Sequence, residues 1–413
     1  MMMATGAHLN IRGELIAVVK ELSNTMNTII QYNCIPHYRA RVFELLSQRD
    51  DVHFKVVADP EPDTPYLKTL RGDEGRAIRA VHAHTYIIRL PRLPELYWQP
   101  QALKMMLKER PDAMIALGSP YSLTAWALLI TGKILRIPVL LWGQGLLSDE
   151  TGPKWWIRRS LYRLAAGQLL YGEHARDLLQ HKGFDVKSLY VVYNSLDFDA
   201  QREIAAEQSD DQINAFRSSL GVAQGEGLVV FTGRLQPVKR LDLLLEAVAR
   251  LAQRGRRVHV ALVGEGGERS NLEQLAARLN IADLVHFLGE SYDEHYLGLV
   301  VGASDLSVIP SGAGLSIMHA LVFGTPVLIH DRVEHHFPEW EAVIEGKTGF
   351  FYRYNDVEDL AAKMEQAIFP VSVRNAMADA CKTVIFEKYN PHKQVDTFVR
   401  AVCETSRAVR KRS

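Results

Sequence analysis

Arg234 and Lys239, set just after Gly233, are the pair in this 413-residue chain best suited to chemistry on an anion. Arg234 can grip a diphosphate through two hydrogen bonds, and Lys239 adds a mobile point charge. Both sit where a helix should start. The helix dipole disfavours cations there unless an anion joins them. The alternative is two solvated side chains. A second constellation is Ser311-Gly312-Ala313-Gly314-Leu315. Glycines let an oxygen approach the backbone, and the free N–H groups of a following helical turn would point at it. An ordinary tight turn has the same composition. The third, Gly264-Glu265-Gly266-Gly267, falls short of a dinucleotide fingerprint. Ser270 stands near where a third glycine is needed, at the wrong spacing, and no ribose-binding acid follows.

These residues need elements to hold them. Short apolar runs predict strands over 28–32, 52–57, 113–117, 138–142, 169–171 and 189–193. After a change of texture the rhythm restarts, with strands over 228–232, 258–263, 285–288, 306–309 and 327–330. Longer amphipathic stretches lie between many of them, including helices over 38–47, 241–253, 271–279, 315–323 and 357–367. Strands alternating with helices predict parallel sheets covered on both faces. The expectation is α/β, with two tandem Rossmann-like doubly wound domains facing across a cleft. Ligands in such sheets bind beyond the C-terminal ends of the strands. The expected boundaries are an N-terminal extension at 1–25, a first Rossmann-like domain at 26–199, and a linker at 200–227. A second domain follows at 228–385, then a C-terminal helix and basic tail at 386–413.

Composition narrows the class. Hydrophobic residues make up 47% and charged residues 23%, which excludes a disordered, collagen-like or disulfide-scaffold chain. Forty-eight Lys and Arg balance 48 Asp and Glu, without the basic excess of a dedicated nucleic-acid binder. The balance hides a split, +4 over residues 1–199 and −4 over the rest. Cys34, Cys381 and Cys403 are scattered and fit a reducing compartment. No apolar run is long enough to span a bilayer, and no signal-peptide pattern is expected at the N-terminus. The expected location is cytoplasmic, with contact at the inner face of the cell membrane as an option.

In order, these motifs resemble the donor-binding half of the glycosyltransferase family 4 enzymes, glycosyl transferases group 1 with the GT-B fold. The resemblance runs through Thr232-Gly233-Arg234-Leu235 with Lys239, Leu262-Val263-Gly264-Glu265-Gly266 and Val285-His286-Phe287-Leu288-Gly289. It continues through Ala303-Ser304-Asp305-Leu306, Pro310-Ser311, the Gly-x-Gly-Leu turn, Gly324-Thr325-Pro326-Val327 and Glu345-Gly346-Lys347-Thr348-Gly349. Residues 32–39 are similar, more loosely, to the family's opening strand and acceptor-side loop, and 192–197 to the close of its first domain. Lys388-Tyr389-Asn390-Pro391 is similar to the start of its closing helix. The resemblance implies a retaining transfer of sugar from a nucleotide-diphosphate-sugar donor to a saccharide or lipid-linked acceptor, in polysaccharide biosynthesis. Arg234 and Lys239 would neutralise the diphosphate. Gly233, Gly264, Glu265, Ser311, Gly312, Gly314, Leu315 and His319 would line the donor site. His37, Arg39 and Gln144 would stand on the acceptor side. No cofactor or metal is expected.

The sequence departs from the family at two places. A glutamate, seven residues and a second glutamate normally frame the Gly-x-Gly-Leu turn; here those positions are Ser311 and His319. Both can still hydrogen-bond a hydroxyl, and His-containing turns occur in a branch associated with bacterial surface polysaccharides. Where relatives often carry a histidine near the reacting sugar, this chain has Gln144, which cannot exchange a proton near neutral pH. Loss of the carboxylates keeps two other readings open, a nucleotide-sugar epimerase and a non-catalytic sugar-nucleotide-binding subunit. Asp197-Phe198-Asp199 reads as a hinge or cap rather than a metal site. His335-His336 with Glu339 and Glu341 lacks the usual spacing of metal ligands, and by resemblance to the family this loop would line the cleft. Trp155, Trp156, Arg158 and Arg159 form a helix segment suited to an anionic headgroup zone, or an ordinary surface helix.

Overall fold

The computed structural model describes residues 25–60, 78, 80–92, 94–369 and 371–411. The expected N-terminal extension lies outside them except for Thr25. Among the described residues nine strands precede residue 192: β1 (Met26–Cys34), β2 (Val52–Asp59), β3 (Ala80–His82), β4 (Tyr86–Ile88), β5 (Leu96–Trp98), β6 (Ala113–Leu117), β7 (Val139–Gly143), β8 (Gly167–Leu170) and β9 (Leu189–Val191). Seven of them form a parallel sheet in the order β3-β2-β1-β6-β7-β8-β9, and β4 pairs antiparallel with β5. The remaining strands are β10 (Gly227–Thr232), β11 (Val258–Val263), β12 (Val285–Gly289), β13 (Leu306–Val308), β14 (Val327–His330) and β15 (Gly349–Tyr352). They form a second parallel sheet in the order β12-β11-β10-β13-β14-β15. The β11 sequence VHVALV is buried at every position, the near-continuous burial that a parallel strand covered on both faces requires.

The helices in the first half are α1 (Ala40–Ser47), α2 (Pro100–Glu109), α3 (Leu123–Leu135), α4 (Gly152–Leu164) and α5 (Glu173–His181). The crossing to the second sheet runs through α6 (Phe198–Glu207) and α7 (Asp210–Ser219). Beyond it come α8 (Leu241–Gln253), α9 (Arg269–Arg278), α10 (Glu294–Gly302), α11 (Leu315–Val322), α12 (Val357–Ile368), α13 (Val371–Glu387) and α14 (Pro391–Arg410). One face of the first sheet is covered by α2 to α5, through buried residues such as Met106, Leu128, Leu161 and Leu179. The other is covered by α1 and, from the far end of the chain, by α14. Phe398 of α14 is fully buried and meets the Trp142 ring edge-on at 4.8 Å. Tyr190 hydroxyl donates to Glu404 at 2.9 Å, and Arg410 pairs with Asp112 at 2.7 Å, along the same helix.

Residues 200–227, expected as a linker, hold most of α6 and all of α7. Ile204 and Val222 are buried in the core of the second domain. Arg217 of α7 bonds the Asp305 carboxylate at 3.2 Å and the Ala303 carbonyl at 2.9 Å. The polar texture of this stretch is its solvent face, since no residue of α7 is fully buried. Asp197 caps α6 by accepting from the Ala200 N–H, and Asp199 pairs with Arg41 at 2.7 Å.

Candidate functional site

The strand order of the second sheet reverses between β10 and β13, which run side by side. Loops leaving neighbouring strands in opposite directions open a crevice at such a switch point. Gly233-Arg234 follows β10, and Ser311 to Leu315 follows β13, so the two constellations share one crevice. Lys239 closes the gap between them. It ends a single 3-10 turn at Pro237–Lys239, and its Nζ donates to the Gly312 carbonyl at 2.7 Å. Burial, and then the charge of Arg234, pull the Lys239 pKa below its usual value. Arg234 is exposed. The arrangement is a half-buried cation and an exposed one, close enough to repel, beside a glycine turn. An anion placed between them relieves that repulsion.

Gly264 and Gly266 serve the backbone first. A Cβ on Gly264 would overlap the Gly233 carbonyl oxygen, and one on Gly266 would overlap that of Leu235. The loops after β10 and β11 therefore pack main chain on main chain, tied by Gly233 N–H to Val263 O at 2.9 Å and Leu235 N–H to Glu265 O at 3.0 Å. The Glu265 carboxylate pairs with Arg269 at the exposed start of α9.

The glycine turn is gripped from several directions. Gly312 has φ +61°, a conformation that favours glycine. Gly314 provides no side-chain cap for α11. Tyr352 hydroxyl donates to the Pro310 carbonyl at 2.9 Å. The Ala313 N–H donates to His336 Nδ1 at 3.1 Å, and the opposite ring nitrogen of His336 contacts the His330 carbonyl at 3.1 Å. Nδ1 is thus an acceptor and Nε2 carries the proton. Burial pushes the His336 pKa down to about 4, so the ring is neutral at ordinary pH. Both nitrogens are engaged in holding backbone. Sequence reasoning placed this segment along the cleft but missed its grip on the turn, because the partners lie 23 residues apart.

His319 is buried on α11, with its ring edge-on to Phe323 at 5.4 Å. Its Nε2 lies 3.3 Å from Glu294 Oε2, which also accepts from Gln201 at 3.2 Å. Burial alone would raise the Glu294 carboxyl, but His319, Gln201 and His37 together hold it below its usual pKa. A carboxylate from another helix, Glu294 of α10, thus stands beside His319, a pairing that no motif in the sequence marked. His37 of the first domain stacks edge-on against Tyr292 of the second, with centroids 6.2 Å apart.

The other acceptor-side candidates separate. Gln144 is half-buried in the loop after β7. Arg39 is enclosed at 3% exposure, so it does not line the cleft surface. Its Nη2 donates to Tyr171 hydroxyl at 2.7 Å, and its guanidinium lies 4.7 Å from the Trp142 ring centre. The α4 segment also divides. Arg158 pairs with Glu150 at 2.8 Å, and Trp155 packs against Phe184 and Lys182. Trp156 is 62% exposed, with Arg159 over its ring.

The two domains touch through the segment between β14 and β15. Glu341 accepts from the N–H groups of Glu173 and His174 at 2.7 and 2.9 Å, capping α5 of the first domain. Gly172 has no room for a Cβ against that carboxylate. Glu339 accepts from Asn194 Nδ2 at 2.6 Å. Among the described residues no group of three or more His, Cys, Asp or Glu is placed to hold a metal ion, and no helix is long and apolar enough to cross a membrane.

Residues 212–384 match the family model for glycosyl transferases group 1. A D-inositol 3-phosphate glycosyltransferase of Geodermatophilus obscurus is 41% identical over 172 residues, covering 38% of this chain and 36% of that relative. The chain therefore spans little more than a third of that relative's length. A structure of Anabaena HepE with UDP aligns over 92% of this chain and 100% of its own, at TM-score 0.67 and 20% identity. A glycosyltransferase from Rickettsia africae aligns over 92% and 99%, at TM-score 0.68 and 13% identity. These likenesses show a shared two-domain α/β fold.

Proposed function

We propose that this protein transfers a sugar from a nucleotide diphosphate to an acceptor hydroxyl, a reading supported by the match of residues 212–384 to the glycosyl transferases group 1 model and by the GT-B fold. The observation that carries the reading is the crevice between β10 and β13, where Lys239 is bonded to Gly312 beside Arg234. Negative charge grows on the diphosphate as the anomeric bond breaks. Fixed cations and backbone dipoles aimed at that charge lower the barrier. Arg234 and Lys239 supply the cations, and the first turn of α11 supplies N–H groups. On this reading the transfer needs no metal. The reaction retains anomeric configuration, with the departing phosphate taking up the acceptor's proton on the same face of the sugar. HepE was solved with UDP and with UDP-glucose, which makes uridine donors the first to try.

The acceptor is a saccharide or lipid-linked saccharide met at the inner face of the cell membrane, and polysaccharide assembly is the corresponding role. His37 and Gln144 stand on its side of the cleft. Glu294 with His319 provides the hydroxyl contacts that the missing motif carboxylates would make.

Thermal-shift screening of nucleotide sugars identifies the donor, since a ligand that binds the native state raises its melting point. Turnover with saccharide, lipid-linked and inositol-phosphate acceptors then identifies the product. Glycosylated acceptor with retained configuration is the expected result. An isomerised donor, or binding without turnover, overturns the transferase reading. So does undiminished turnover in Arg234→Ala and Lys239→Ala.

A further inference from the structure

Phe337 is an aromatic residue left in the open beside the glycine turn of the crevice, with 47% of its surface exposed. Single apolar side chains on a surface are ordinary. This one is set apart by how it is held. Its N–H donates to the Ala313 carbonyl at 2.8 Å, while the Ala313 N–H donates to the neighbouring His336. Its carbonyl accepts from the Trp340 N–H at 3.1 Å, within the 3-10 turn Pro338–Ala342. The side chain lies against Gly314: a Cβ on that glycine would stand 3.1–3.4 Å from Phe337 Cδ2, Cβ and Cγ. The residue is therefore anchored to the turn that offers N–H groups at the start of α11, and a ligand meets it already ordered.

The first domain brings Gln144 to the same place. A Cβ on Gly145 would lie 2.8–2.9 Å from the side chains of Leu170 and Ala175, so the loop carrying Gln144 is seated on the start of α5. Just beyond Phe337, Glu341 caps that same helix start through the Glu173 and His174 N–H groups. Trp340 meets the His174 ring edge-on at 5.7 Å. Gln144 and Phe337 thus flank one helix end from the two domains. The space between them adjoins the glycine turn, where a sugar carried by a diphosphate at Arg234 and Lys239 projects.

We propose that Phe337 is the platform for the transferred sugar, a specificity-determining residue of the donor site, and that this sugar is a pyranose lying with one C–H face on the ring. An aromatic face is electron-rich, and the C–H groups of a pyranose face are the apolar, weakly positive part of an otherwise hydroxylated ring. Sites for such ligands combine an apolar wall with a few placed polar groups. Phe337 is the wall, and Ser311, Gln144 and the Glu294–His319 pair are the polar groups. A hydroxyl turned onto the aromatic face loses its hydrogen bonds to water and finds no other, so the platform sorts epimers by which face carries an axial hydroxyl. Phe337 contacts the sugar alone; the diphosphate belongs to Arg234, Lys239 and the backbone. The platform presupposes the transfer reading and deepens it, by naming the form of the sugar and the residue that selects it.

The test is calorimetric titration of the full chain with UDP and GDP, and with UDP-glucose, UDP-galactose, UDP-N-acetylglucosamine and GDP-mannose. The parent should bind at least one sugar nucleotide more tightly than the matching diphosphate. That increment should shrink about fivefold or more in Phe337→Ala and Phe337→Leu and persist in Phe337→Tyr, as expected for loss of one aromatic-face contact. All three variants should bind free diphosphate as the parent does. Leucine keeps an apolar body on Gly314 but has no flat face, so it separates a platform from mere packing, for which Leu and Tyr would serve alike. The ratio of affinities for UDP-glucose and UDP-galactose, epimers at one carbon, should move toward one in the Ala and Leu variants. An increment that Phe337→Leu retains in full, an unmoved epimer ratio, or loss of diphosphate binding along with the sugar's overturns the platform. So does a parent that binds diphosphate with no sugar increment. Failure of every probe to bind counts instead against the transfer reading and removes the platform with it, so the two failures are told apart.

Discussion

Lys239 Nζ lies 2.7 Å from the carbonyl oxygen of Gly312, joining the loop after β10 to the turn after β13. The contact places a half-buried ammonium where the backbone is bare of side chains. Replacing it with Lys239→Met keeps the chain length and removes the charge. Turnover of the best donor should fall on the order of 10²- to 10³-fold, the usual cost of losing one donor to a developing anion. The melting point should stay within a few degrees. Initial-rate measurements on the purified variant check this, and a drop below fivefold would remove Lys239 from the donor site.

His336 orders the glycine turn through the Ala313 N–H. His336→Ala leaves that buried N–H without an acceptor, at a cost of about 1–3 kcal/mol. His336→Asn places an oxygen near the former Nδ1 and should recover much of the loss. The ring stays neutral down to about pH 4, so the role should not titrate between pH 5 and 8. Denaturant melts and a pH–rate profile of the three proteins check it. A pH-dependent defect confined to His336→Ala would contradict a purely positional role.

Glu341 couples the domains with a perturbed carboxyl. Burial pushes its pKa from 4.5 up to about 7, against the pull of the two backbone N–H bonds, with Glu173 and Asp177 adding repulsion. An acid that holds its proton more tightly in the folded state favours folding most at low pH. Its contribution declines as pH rises through the window from 4.5 to 7 and is flat above it. Melting temperature against pH for wild type and Glu341→Gln should therefore diverge across that window, with wild type falling relative to the variant. Parallel curves would count against the coupling.

Phe398 on α14 belongs to the core of the first domain although it lies at the end of the chain. Phe398→Ala should destabilise by about 3–5 kcal/mol, the range for a buried aromatic truncated to a methyl group. Urea denaturation measures it directly. A loss under 1 kcal/mol would mean that α14 is not needed to seal the sheet.

Local pattern determined much of this protein. The runs at 258–263 and 241–253 coincide with β11 (Val258–Val263) and α8 (Leu241–Gln253), because a doubly covered parallel strand must be apolar throughout and an amphipathic helix must repeat every three to four residues. The glycine, arginine and lysine positions of the crevice were legible for the same reason: each sits at a strand end a few residues from its own element. Weakly patterned segments were not legible. α7 buries no residue fully and read as linker, and α13, of low amphipathicity, went unmarked. Contacts between distant parts of the chain were decided only in three dimensions. Glu294 beside His319, His336 under Ala313, Glu341 on the α5 terminus and Arg39 inside its ring of aromatics each depend on which strands become neighbours. Periodicity reports which face of an element is buried, not which partner buries it, so packing alone assigned those side chains their work.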